Sequence, residues 1–396
     1  MINSILETVT TTGNASWNWV FCGAFLILLI AILLYAKAVP QGDGRWWALT
    51  IVTGALVIAG MAVREGWMRV LLLDAAVFAA VALVWIQDSK PAKAAAKTYL
   101  IFMVIAVVFL AAGMYLAGEG NIEPAYPINK LAAGLLIVGF SLKLALIPLY
   151  FWLPKLAEHA KPMTTALIVS VVDIAALGEL ISLRTSAAWI FTGYAVLWLV
   201  IALLSMFGGA LLALSQKNIK RMLAFSTIDD MGYLVLGILV GTQFGLSGAI
   251  LAALSHAFFK VLLFGAVGMV EFRIGHDLTL EDNGIAAQSP KSAAVFILSA
   301  LGMIGVPPFF GFVGRWRLYM SGLEYGGLAL VLVMALATAL ALLYYVRAIH
   351  RVWMGKPEHT VIIVKEPTLA VVVLIVLLLF MLALGLFPGW LTGLIG

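Results

Sequence analysis

Among the ionisable residues inside otherwise apolar stretches of this 396-residue chain, eight stand out: Asp74, Lys143, Asp173, Asp229, Asp230, His256, Lys260 and Arg315. Such groups cost a few kcal/mol each at bilayer depth, so they are candidates for function rather than packing. Lys143 and Asp74 suggest one chemistry. Desolvation favours a neutral amine and a nearby carboxylate favours the ammonium, so moving or protonating the acid releases the lysine's proton. A static ion pair joining two helices is the alternative. His256 and Lys260 are four residues apart, on one helix face, and imidazole exchanges protons near neutral pH. The pair suits a hydrated relay, and a histidine packed between helices is the plainer alternative. Asp229 and Asp230 are adjacent and point to different sides of their helix, so one is free to cap or face a loop while the other faces inward. Asp173 reads as a relay acid or as the partner of a neighbouring lysine. Arg315 differs, because guanidinium is not deprotonated in proteins. It can hold an acid or an anion, or pin two helices, but cannot pass on its own proton.

The elements that carry these residues contain deliberate breaks. "GFSLKLALIPLYFWLP" (139–154) places Lys143 five residues before Pro148. Proline removes a backbone hydrogen bond, and at bilayer depth freed carbonyls are tolerated only in buried protein or beside a hydrated cavity. "GMIGVPPFFGFVGRW" (302–316) repeats the pattern with Pro307 and Pro308 before Arg315. The two breaks fall in the fifth and tenth apolar stretches. An odd offset predicts opposite orientations, as in inverted repeats; two unrelated kinks are the alternative.

Composition agrees with a membrane solvent. Hydrophobic residues make up 64% of the chain and charged residues 11%, against about 25% charged in soluble domains. The reading is an all-α polytopic membrane protein with about twelve spans: 17–38, 46–63, 67–87, 98–117, 128–153, 162–182, 187–215, 222–241, 244–270, 291–323 (broken), 326–354 and 367–393, each near the ~20 apolar residues a bilayer needs. The polar start predicts no removable signal peptide. Cys22 is the one cysteine, which excludes an intrachain disulfide, an iron–sulfur cluster and a Cys-rich metal site. Sixteen of the 24 Lys and Arg residues, Lys356 among them, fall in loops after odd-numbered spans. Loops after even-numbered spans hold four: Arg64, Arg69, Lys130 and Arg184. The positive-inside rule then puts the first set in the cytoplasm and both termini outside. The expected location is a bacterial inner (plasma) membrane, with both termini periplasmic. The net charge of +5 belongs to this distribution and not to a nucleic-acid surface.

Four segments in order resemble one family, the antiporter-like membrane proteins. They are "FSLKLALIPLYFWLPKLAEHAKPMTTALI", "QKNIKRMLAFSTIDDMGYLVLG", "LSHAFFKVLLFGAVGMVEFR" and "GVPPFFGFVGRWRLYM". "LLLDAAVFAAVALVWIQDSKPAKAAAKTYL" resembles the preceding spans more weakly. The family comprises proton-pumping membrane subunits of respiratory complex I (NADH:quinone oxidoreductase), Mrp-type antiporter subunits and relatives in membrane-bound hydrogenases. The resemblance implies two inverted five-helix repeats, each with a broken helix, around a hydrophilic proton-conducting axis. It implies an organisation of N-terminal helices (1–66), a first repeat (67–215), a second repeat (216–354) and a C-terminal helix (355–396). Lys143 takes the place of the broken-helix lysine and Asp74 that of its partner glutamate. His256 and Lys260 lie on the relay helix, and Arg315 stands where a terminal lysine is usual. The family's lysine in the next span falls near Ile174, beside Asp173. Two N-terminal spans and a long C-terminal lateral helix of the family have no counterpart here.

The function expected is a proton-translocating subunit of a larger membrane complex. It would carry no cofactor in this chain, because nothing in it binds NAD, flavin or an iron–sulfur cluster. It would have membrane and redox subunits as partners, beside the lipid bilayer, and no catalytic residues of its own. Protons are the expected ion, with Na⁺ or K⁺ as alternatives. A stand-alone or Mrp-type Na⁺(K⁺)/H⁺ antiporter is a second reading, in which Asp173, Asp229 and Asp230 supply oxygen ligands. A scaffold without conduction is the third, prompted by Arg315.

Overall fold

The computed structural model describes residues 2–63, 66–118, 127–355 and 365–395. Arg64 and Lys356, used above for orientation, lie outside the described residues. The long elements are α1 (Ile2–Ala38), α2 (Gly44–Ala62), α3 (Trp67–Trp85), α4 (Lys90–Ala117), α5 (Pro127–Lys143), α6 (Trp152–His159), α7 (Pro162–Ser186), α8 (Ala195–Ser215), α9 (Ile219–Val240), α10 (Gln243–Ile274), α11 (Pro290–Ile304), α12 (Gly311–Ala348) and α13 (Thr368–Leu386). Among the described residues the one β pairing is an isolated bridge between Asn218 and Thr279.

Ten of these helices are long and apolar enough to cross a membrane. Two further crossings are made in pieces. The fifth joins α5 to the eight-residue α6. The tenth joins the 15-residue α11 to the first part of α12, which kinks at Gly327 (φ +63°) before continuing as the eleventh. About twelve crossings result, as expected. Helix ends shift where capping decides them. Ser89 accepts from Ala92 N at 3.0 Å and Pro91 opens the first turn, so α4 starts at Lys90 and not at 98. Asn218 accepts from Arg221 N at 3.0 Å and Thr242 Oγ1 from Gly245 N at 3.2 Å, which satisfies otherwise orphaned amides of α9 and α10. Arg69, expected in a loop, lies in α3 and is only 2% exposed; α3 begins at Trp67, which brings the guanidinium over the Trp17 ring at 5.8 Å.

The architecture has a buried axis. In α7, α9 and α10, 94% of the apolar window is buried, against 22–56% in the other spans. These three helices also carry five of the eight candidate residues, so the charged groups are screened from lipid by an outer ring of helices. Apolar burial does not drive helices together in lipid, so close backbone packing must. Gly209 of α8 and Gly232 of α9 show how. A Cβ on Gly209 would lie 2.5 Å from Asp229 N, and one on Gly232 would lie 2.6 Å from Ala202 O. The two backbones therefore touch beside Asp229.

Candidate functional site

Both helix breaks share one geometry. α5 ends at Lys143, five residues earlier than the break expected at Pro148, because Ala145 takes a left-handed conformation (φ +52°). Leu146 N then donates to Ser141 O at 2.8 Å, and Ile147–Pro148 is cis. At the second break Gly305 takes φ +91°, Val306 N donates to Leu301 O at 3.0 Å, and Pro307–Pro308 is cis. Each feature of one break thus recurs 160 positions later in the other. Freed polar groups find protein partners: Trp152 Nε1 donates to Leu142 O at 2.9 Å, Ile147 N to Ser205 Oγ at 3.0 Å, and Phe310 N to Met381 O at 3.3 Å.

The first break builds a charge cluster. Lys143 Nζ lies 2.7 Å from Asp74 Oδ1 on α3 and 2.7 Å from Glu179 Oε2 on α7, with all three side chains less than a tenth exposed. The Asp74–Lys143 pairing follows the sequence expectation. Glu179 was not among the expected residues. Its signal was present, since it is an acid inside the apolar run 162–182, six residues beyond Asp173. Asp173 is buried but makes no ion pair among the described residues. A π-helical turn over Ile168–Val172 immediately precedes it. Such turns add a residue to the helix and re-aim the side chains beyond them, often at functional sites.

The second break builds a different cluster. Asp230 Oδ1 accepts from Arg315 Nη2 at 2.8 Å, and Asp230 Oδ2 lies 3.2 Å from His256 Nδ1. Arg315 also stacks over the Tyr233 ring, 3.9 Å from its centroid. It reaches back to Met303 O at 3.4 Å. Asp229 Oδ2 accepts from Tyr344 at 3.1 Å. Both aspartates are therefore buried, which corrects the expectation that one would cap or face a loop; α8 and α12 cover the side of α9 that would otherwise be open. Lys260 shares a helix with His256 but not its partners. It donates to Leu223 O at 2.8 Å and Ser226 Oγ at 2.5 Å. A void of only about 10 Å³ is lined by Asp230, His256 and Arg315, about the least space one water needs. Among the described residues no group of three His, Cys, Asp or Glu side chains could hold a metal ion.

An all-α polytopic membrane protein with buried charges at two helix breaks is the class this geometry defines. The model of the family described as "NADH:quinone oxidoreductase/Mrp antiporter, TM" matches residues 67–341, and the chain belongs to that family. Among similar curated proteins is NADH-quinone oxidoreductase subunit N of Desulforudis audaxviator (strain MP104C), 30% identical over 85% of this chain and 72% of that protein. Another is the subunit N of Geobacter metallireducens (strain ATCC 53774 / DSM 7210 / GS-15), 28% identical over 96% of this chain and 84% of its own length. Similar folds occur in the Mrp complex from Dietzia sp. DQ12-45-1b (TM-score 0.84, 22% identity, 96% of this chain and 82% of that one). Respiratory complex I from Thermus thermophilus with bound aureothin gives a TM-score of 0.81 at 24% identity, covering 96% of this chain and 86% of that one.

Proposed function

We propose that this chain is a proton-translocating, antiporter-like subunit of a multi-subunit membrane complex of the NADH:quinone oxidoreductase type. The observation that carries the reading is the Lys143 ammonium held at 2.7 Å by two carboxylates from different helices, at the end of a broken helix. Such a triad holds one surplus negative charge when every member is ionised, so it accepts a proton without stranding charge in lipid. Movement of α3 or α7 driven by a partner subunit would change which group holds that proton. The second cluster, with Asp230, His256, Asp229 and Lys260, would continue the axis, with Asp173 between the two. Redox chemistry and its cofactors would reside in partner subunits, and this chain would contribute vectorial transfer only. We read residues 67–215 and 216–354 as its two repeats, flanked by 1–66 and 355–396. The bacterial inner membrane is its expected place, with both termini periplasmic. The test is Lys143→Ala in the intact complex: electron transfer and assembly persist, and proton pumping is lost. Normal pumping in that variant overturns the proposal.

The likeness of fold to the Mrp complex favours a second reading, cation/proton exchange. Purified chain in liposomes would then collapse a pH gradient on addition of Na⁺ or K⁺. The proton-subunit reading expects no response from the isolated chain.

A further inference from the structure

A cavity of about 860 Å³ opens beside the first cluster, at the membrane face opposite the basic loops. Its lining includes Glu179, Arg69, Ser182, Ser186, Trp67 and Tyr115. Glu179 stands seven residues from Ser186, the end of α7, and Asp74 seven from Trp67, the start of α3, a depth of about 10 Å at ~1.5 Å per residue. The Lys143 triad is therefore closer to this face than to the basic one. On the other side Leu144, Ala145, Leu146 and Trp152 are fully buried and form an apolar floor. Glu179 Oε2 binds Lys143, whereas Oε1 has no partner among the described residues and neither has Ser182 Oγ, which lines the same cavity.

We infer that this cavity is a proton access path joining Glu179 to the face opposite the basic loops, so that the first cluster exchanges protons there directly, without a route past the fixed charge of Arg315. The inference rests on the proton-translocating reading of that cluster. In the exchange, the Lys143 N–H bond breaks and an O–H bond forms on Glu179, leaving a neutral amine and a neutral acid. The acid then gives its proton to cavity water, and its carboxylate returns. A metal cation is a poor occupant, because the Lys143 ammonium already fills the space between the two carboxylates. The charge of Arg69 on the cavity wall further disfavours a resident metal cation.

Cysteine accessibility tests the path. Cys22 is the single native cysteine and is buried, so Ser182→Cys and, nearer the mouth, Ser186→Cys can each be read in a Cys22→Ser background of the intact complex. In sealed membranes of known orientation, a membrane-impermeant methanethiosulfonate should modify both cysteines from the face opposite the basic loops only. Modification of Ser182→Cys should cut pumping by roughly 100-fold, the lower end of what a positioned proton-transfer group contributes. Glu179→Gln should cut pumping to the same degree while leaving the labelling intact. Labelling from the basic face, no labelling of either cysteine, or modification without effect on pumping each overturns the inference. Labelling reports the path even if Lys143→Ala pumps normally, so failure of the proposed function is separately visible.

Discussion

The two helix breaks are built alike and hold their cations differently. At the first, the last helical residue is Lys143; 160 positions on, the equivalent residue is Met303. A helix C-terminus attracts positive charge, and the second break receives it from across the gap, where Arg315 reaches Met303 O at 3.4 Å. Both breaks thus place a cation at the end of the first half-helix. Lys143 is a protonatable amine shared by two carboxylates, beside a cavity of about 860 Å³. Arg315 is a permanent charge clamped between Asp230 and the Tyr233 ring, beside about 10 Å³. The same backbone device holds a protonatable amine at one break and a permanent guanidinium charge at the other.

The sharpest way to break this contrast is to exchange the chemistry. Lys143→Arg keeps the charge and can keep both ion pairs, yet guanidinium does not release a proton. Pumping should vanish while the complex assembles, as measured by proton uptake and by recovery of partner subunits. Arg315→Lys, the reverse exchange, should leave pumping in place. If both variants pump, the contrast has no functional meaning. Arg315→Met comes next in size. It strands Asp230 without its cation, and breaking a buried pair in this way costs about 3–5 kcal/mol. The expected readout is a lower unfolding temperature in detergent, with Arg315→Lys unaffected.

Much of this was legible in the residues. Ten long apolar runs and two proline breaks fixed the crossings, because bilayer thickness and backbone satisfaction leave few alternatives. Lys143, Asp74 and the residues of α9 and α10 were visible as charges where charges are costly. What periodicity could not reveal was partnership. Glu179 is an acid near the end of an apolar run, and only the packing of α7 against α3 and α5 brings it to Lys143. Asp229 and Asp230 are adjacent, so helix geometry sends them apart, and burial of both required knowing that α9 is enclosed on all sides. Helix α5 ends at Lys143 through the left-handed turn at Ala145, a conformation that an alanine does not announce.

Asp74 allows a finer test of the first break. Asp74→Asn keeps the shape but leaves Lys143 with Glu179 alone, and pumping should fall several-fold. Asp74→Glu restores the charge with one more methylene and should retain most of it, since α3 approaches Lys143 from its own side. Equal pumping in the two variants would make the acid structural, and the triad would reduce to the Lys143–Glu179 pair.

The smallest effect should come from the outer edge of the second cluster. Asp229 Oδ2 accepts from Tyr344 at 3.1 Å, while its Oδ1 has no partner among the described residues. Tyr344→Phe removes that donor with little change in packing, so the loss should be about 1–3 kcal/mol, the cost of leaving a buried acceptor without its donor. Asp229 can offset part of this by taking up a proton, because a neutral carboxyl depends less than a carboxylate on the lost Tyr344 donor. Thermal unfolding of the variant should therefore differ from the parent more at high pH than at low pH. A shift independent of pH would mean that Tyr344 supports the helix contact and not the acid. The comparison would then rest on Arg315 and Asp230 alone.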